Sequence, residues 1–462
     1  MSIDFEKVSY VRDNLLNALL GWQKKNDDML WRSRPNMRGT APSFTCTAIS
    51  IQALHEAGKV GQARMFAAPI QSTMFQENEY RPLPSESNNN FKHIMNNSWT
   101  VFSLLECFPE QATTFWPAVK WIMDAQDTNG WWNLLPEHLN DETSCPIFCA
   151  YALAAIIQYY NKADEMRGLD GTQRYSITQC LHKGIGALLN AKIDIQGQDI
   201  LLWPQKKEGR GPASFGVSTM CAHVLYKAGK ILNDGHLLDR ISRTFEEFGH
   251  GLEKTSDDVK ITVMNHPVTI WDTIQDSNLL NYHHSTFAPI SLVTVLRYIN
   301  NNNANRLYTL INHFTNWILT HALNDGNAGV WSSPSMPNAT TWSTAAAIIT
   351  LSRILSHKDL IESKLSRILS HKDLIESNLD TPNKNGQNPK KLSIATKIAR
   401  MFNKFTDNKT VKGIATLASI GGFIGFVIGD SNFKVLYIAI SGLIIVLYGV
   451  VYLIRWLKSM RR

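Results

Sequence analysis

Six stretches of the chain are almost continuously apolar, threaded with Ala, Ser and Thr, and each opens on small or hydroxyl-bearing residues. They are SFTCTAISIQAL from Ser43, NNSWTVFSLLECF from Asn96, SCPIFCAYALAAI from Ser144, SFGVSTMCAHVL from Ser214, HSTFAPISLVTVL from His284 and TTWSTAAAIITL from Thr340. A helix that is apolar on every side is packed on most sides, and the polar starts are N-cap residues. A more amphipathic segment and a variable loop precede each one, as PAVKWIMDAQ precedes the third. Repetition at this long period predicts stacked helical pairs. Six inner and six outer helices make the expected fold all-α, an (α/α)6 toroid of six helical-hairpin repeats over residues 1–356.

The pattern changes beyond the sixth repeat. LSRILSHKDLIESK (351–364) recurs as LSRILSHKDLIESN (365–378), so residues 351–379 read as a duplicated amphipathic helix with an apolar seam at a 14-residue period. That helix is either a lengthened surface helix or a spacer that self-associates. Residues 380–391 (DTPNKNGQNPKK) form a polar linker. Residues 392–412 form a basic amphipathic helix suited to an anionic leaflet.

Two uncharged runs then follow, 413–429 with 17 residues and 435–454 with 20, separated by five residues. Their length predicts a C-terminal transmembrane helical hairpin. Basic flanks, including the tail 455–462, place both termini in the cytoplasm of a bacterial-type inner membrane. Gly421, Gly425 and Gly429 share one helix face. They predict close packing against either Gly442 of the second span or another copy of the chain.

Charge supports this division. Of 46 basic and 39 acidic residues, 13 and 3 fall within 380–462, leaving 33 and 36 in the body. The net charge of +7 therefore belongs to the tail, which argues for a bilayer as partner and against nucleic-acid binding. The first residues, MSIDFEKVSY, contain no apolar signal-peptide core, and the six cysteines show no CxxC spacing.

One loop carries a sharper motif. In AVKWIMDAQDTNGWW, Gln126, Gly130 and Trp132 fit the Q-x3-G-x-W signature called the QW motif. Weaker echoes are NWILTHALNDGNAGVWSS and LLGWQKKNDDMLW. In these features the chain resembles the prenyltransferase and squalene-cyclase repeat family. The resemblance implies a structural role for the motif, with Gln and Trp tying neighbouring outer helices together.

The acid motifs that the resemblance would bring, DxDD and DDxxD, do not occur. Without a braced carboxylic acid a carbon–carbon double bond is not protonated in the cyclase manner. A prenyltransferase-like zinc site has only scattered candidates, Asp141, Cys145 and His284, and the residues call for no cofactor. Cations instead precede the inner helices: Arg32, Arg34 and Arg38 before the first, Lys206 and Arg210 before the fourth, His283 and His284 before the fifth. Gathered at one mouth of a toroid beside helix N-termini, they would bind an anion. Two functions follow. One is a cytosolic sensor, responding to an anionic ligand or a regulatory protein, whose output is the hairpin, a layout that resembles membrane-perturbing effectors of antiviral defence. The other is a membrane-tethered enzyme acting on isoprenoid lipids. The missing acid motifs and the glycine row favour the first.

Overall fold

The computed structural model describes residues 3–23, 30–32, 43–76, 79–84, 92–134, 145–193, 195, 200–204, 213–254, 259–264, 266–269, 301–324, 327–328, 331–333 and 336–363. All of them fall within one compact unit, Met1–Ser377. The duplicate copy beyond 363, the linker, the juxtamembrane helix and both expected spans lie outside the described residues.

Five of the six expected inner helices are described: α2 (Phe44–Glu56), α4 (Ile94–Cys107), α6 (Pro146–Glu165), α8 (Phe215–Leu232) and α11 (Thr341–Ser356). The one expected from His284 lies outside the described residues. Outer helices are α1 (Phe5–Gln23), α3 (Val60–Met74), α5 (Trp116–Asp124), α7 (Gly171–Asn190), α9 (Gly235–His250) and α10 (Asn301–His321). Inner helices pack on one another in sequence, α2 on α4, α4 on α6 and α6 on α8, and α11 returns to α2. This is why they are apolar all round. Every residue of α2 from Thr45 to Leu54 is buried. The first copy of the duplicated segment belongs to this core, with Leu351, Ile354 and Ile361 all buried.

Helix starts are set by their caps. Ser43 Oγ accepts from Cys46 N at 3.1 Å, Ser214 Oγ from Val217 N at 3.1 Å and Thr340 Oγ1 from Ser343 N at 3.2 Å. At α4 the cap is His93, whose Nδ1 accepts from Asn96 N at 3.3 Å. Cys145 caps α6 without a side-chain bond, and Pro146 supplies the start by its fixed φ. On the outer layer Asp170 and Gln173 form a capping box for α7.

The chain is mostly helical, but the all-α expectation needs correcting. Short strands fill the connections that run from outer to inner helices. β1 (Ala213–Ser214), β2 (Leu252–Lys254), β3 (Val259–Val263) and β4 (His266–Thr269) form a sheet in the order β1-β4-β3-β2. β1 runs parallel to β4, and the other pairs are antiparallel. Such two- to five-residue strands bury too little to leave a period in the sequence.

Candidate active site in the helical ring

The loops before the inner helices are fastened by one repeated device. Trp31 N donates to Thr47 Oγ1 at 2.9 Å, Leu83 N to Asn97 Oδ1 at 2.7 Å and Trp203 N to Ser218 Oγ at 2.9 Å. Thr47, Asn97 and Ser218 each stand four residues beyond the N-caps Ser43, His93 and Ser214, so one turn of inner helix receives each strap. The cap residue's own N–H returns to the strap carbonyl, Ser43 to Trp31 at 2.9 Å and Ser214 to Trp203 at 2.9 Å.

Three tryptophans then join strap to outer helix. Trp31 Nε1 donates to Leu19 O (2.9 Å), Trp132 Nε1 to Ile122 O (2.6 Å) and Trp203 Nε1 to Leu188 O (2.7 Å). At the QW motif, Gln126 Nε2 donates to Gly130 O and to Cys180 O, each at 3.2 Å, so the loop after α5 reaches α7. Gly130 has φ +89°, and a Cβ there would come within 2.3 Å of Lys183 O. Only glycine fits.

Inside the ring the side chains fall in levels. Nearest the N-termini lies an aromatic group, Trp99, Tyr151 and Trp342. Ring centroids are 4.9 Å apart for Trp99–Tyr151 and 5.4 Å for Trp99–Trp342. Beside it Thr45 hydrogen-bonds Asn96 across α2 and α4.

Nine residues beyond the N-caps of α2 and α8 stand Gln52 and His223, 6% and 9% exposed. Gln52 Oε1 and His223 Nδ1 are buried atoms with no hydrogen-bond partner among the described residues. Buried polar atoms are almost always satisfied, and these two lie on one level of the ring.

Thirteen residues beyond the five described caps come Glu56, Glu106, Gln158, Lys227 and Arg353. At 1.5 Å per residue that is about 20 Å along each helix. Arg353 forms an ion pair with Glu56, and Gln158 Nε2 donates to Glu106 Oε1 at 2.9 Å. The Arg353 side chain is 36% exposed and that of Glu56 13%, so this level reaches solvent.

The groups act on one another across the ring. Burial pushes His223 well below the usual imidazole range, and the charges of Lys227 and Arg353 push it further. Burial and Arg353 lower Lys227, against the pull of Glu106 and Glu56. Burial raises Glu56, partly offset by Arg353. The result is a neutral imidazole beside two cations and two engaged carboxylates.

The residues singled out in the sequence fare differently. Arg32 lies in the first strap, where its carbonyl accepts from Thr341 Oγ1 at 2.5 Å. Arg34, Arg38, Lys206, Arg210, His283 and His284 lie outside the described residues, as do Asp141 and the glycines Gly421, Gly425, Gly429 and Gly442. Cys145 is buried, with its thiol pushed up to about 12 by burial. Among the described residues no three His, Cys, Asp or Glu converge to hold a metal ion. Gln52, His223, Lys227 and the other ring residues carried no motif and were not anticipated. Their signal is positional, one polar residue recurring at a fixed distance from each cap.

No family model and no curated protein matches the chain. Solved structures do. An alpha-1,6-mannanase from Salegentibacter sp. HEL1_6 aligns with a TM-score of 0.54 at 9% identity, over 77% of this chain and 99% of its own. The cellobiose 2-epimerase of Bacillus thermoamylovorans B4167 gives 0.53 at 10%, over 76% and 99%. A D-mannose isomerase gives 0.53 at 9%, over 77% and 100%. The fold is the α/α toroid.

These matches support the toroid but not membership of the prenyltransferase and squalene-cyclase family. They also overturn the expectation of a membrane-perturbing defence effector, because the proteins sharing this architecture are by name carbohydrate enzymes. Among the described residues no helix is long and apolar enough to cross a membrane. The inner-membrane placement is withdrawn with the effector. The apolar helices in this part of the chain owe their composition to burial in the ring.

Proposed function

We propose that the protein is a carbohydrate-processing enzyme that isomerises or epimerises a sugar inside the helical ring. The observation that carries this reading is His223, a buried, neutral imidazole with an unpartnered Nδ1, set among polar groups in the interior of a toroid. A base in such a place takes a proton from the carbon beside a sugar carbonyl. The C–H electron pair moves into the C–C bond, the carbonyl π pair moves to oxygen, and an enediolate forms. Return of the proton to the neighbouring carbon isomerises the sugar, and return to the other face epimerises it. Gln52 Oε1, on the same level as His223, would accept from a sugar hydroxyl.

Proton transfer is favoured over glycoside hydrolysis by the state of the two carboxylates. Hydrolysis needs one carboxyl to protonate the leaving oxygen and a second that is free as base or nucleophile. Here Glu56 is held by Arg353 and Glu106 by Gln158.

The test is a panel of aldoses and ketoses, their phosphates and uronates, a β-linked disaccharide and α-1,6-mannooligosaccharides, with products read by NMR. A new isomer or epimer is expected, formed about 100-fold or more slowly by His223→Asn. Hydrolysis products alone, or no turnover across the panel, would contradict the reading.

A further inference from the structure

The ring holds two cations whose surroundings differ from those of its carboxylates. Glu56 and Glu106 each have a bonded partner. Lys227 has no ion pair or hydrogen bond among the described residues, and the charge acting on it most strongly is another cation, Arg353. Arg353 spends its Nη2 on Glu56, while its Nε is buried without a hydrogen-bond partner among the described residues. Two unmet cationic donors from the same level, one on α8 and one on α11, therefore face the same interior. Lys227 stands one helical turn from His223, on the same face of α8. Burying like charges together is costly unless something of opposite sign joins them.

We propose that the ligand of the ring carries an oxyanion, a phosphate or carboxylate on the sugar, seated between Lys227 Nζ and Arg353 Nε. This rests on the reading of the ring as a sugar site and narrows its substrate class. It also gives the charge a task. Lys227 and Arg353 both weaken His223 as a base, so an oxyanion that neutralises them strengthens the imidazole at the moment the substrate arrives. The substrate's own charge turns on the base, and a neutral sugar leaves it weak.

The experiment uses the full chain and calorimetric titration with mannose 6-phosphate, mannuronate, mannose and inorganic phosphate. The charged sugars are expected to bind at least tenfold more tightly than mannose. Lys227→Gln should lose that preference and Lys227→Arg should keep it. Equal binding of mannose, or a preference that survives Lys227→Gln, overturns the proposal, as does a wild type that binds none of the four. If inorganic phosphate binds in a Lys227-dependent way while no sugar does, the oxyanion site stands and the sugar reading falls. A second measurement needs no variant. The His223 imidazole, followed by 15N NMR, should titrate at higher pH when mannose 6-phosphate or inorganic phosphate is bound, and an unchanged midpoint overturns the proposal.

Discussion

Acidification from pH 7 to pH 4 is expected to lower the stability of the toroid by about 3 kcal/mol through His93 alone. His93 is buried, and burial lowers its pKa from 6.5 to about 4. Its neutral Nδ1 caps α4 by accepting from Asn96 N, and its carbonyl accepts from Asn97 Nδ2 at 2.8 Å. A protonated ring has no lone pair with which to accept. The folded pKa is depressed, so the stabilisation is complete above the unfolded value of 6.5 and drains away as pH falls towards 4. His223, also depressed by burial, acts in the same direction. Urea unfolding at pH 7, 5.5 and 4.5 measures the slope. His93→Ser keeps a capping oxygen, like Ser43 and Ser214, without a titrating ring. Its stability should depend on pH more weakly than the wild type's, and an equal slope would remove His93 from the account.

Trp132→Ala should cost about 3–5 kcal/mol, the range for truncating a large buried aromatic. The indole is fully buried and donates to Ile122 O. It also fills the space above Gly184, where an added Cβ would stand only 3.0 Å from the ring. Trp132→Phe keeps most of the apolar volume but strands a buried carbonyl, so about 1–3 kcal/mol is expected. Denaturant midpoints at a constant slope separate the two variants. An alanine variant as stable as wild type would mean that the QW loop does not hold α5 to α7.

The inner ring was readable in the sequence because its helices are buried on every side and begin with side chains that cap. Both signals are local. The strap tryptophans were partly readable. Trp132 sits in a complete Q-x3-G-x-W and Trp31 in the echo LLGWQKKNDDMLW, but Trp203, in DILLWPQ, has neither the Gln nor the Gly and makes the same bond.

The candidate site was hidden for a different reason. Glu56, Glu106, Gln158, Lys227 and Arg353 lie towards the far ends of their helices, where a lone polar residue reads as a solvated terminus. Only aligning the five N-caps shows that they occupy one level. The missing DxDD motif reads as an absence of chemistry, whereas the polar groups of this ring include a buried histidine and a lysine on α8 that belong to no motif. That absence favours a membrane output over an enzyme, and the architecture shared with proteins named as carbohydrate enzymes overturns the membrane output.

The most direct test of sugar chemistry in the ring is turnover in D2O. When the best substrate from the panel is incubated with the full chain, deuterium should appear in the product at the carbon beside the carbonyl. The incorporation should be lost with His223→Asn while the variant's far-ultraviolet circular dichroism stays unchanged. Product formed without deuterium, or deuterium entering equally in the folded His223→Asn variant, would contradict His223 as the base and the ring as the place where the proton moves.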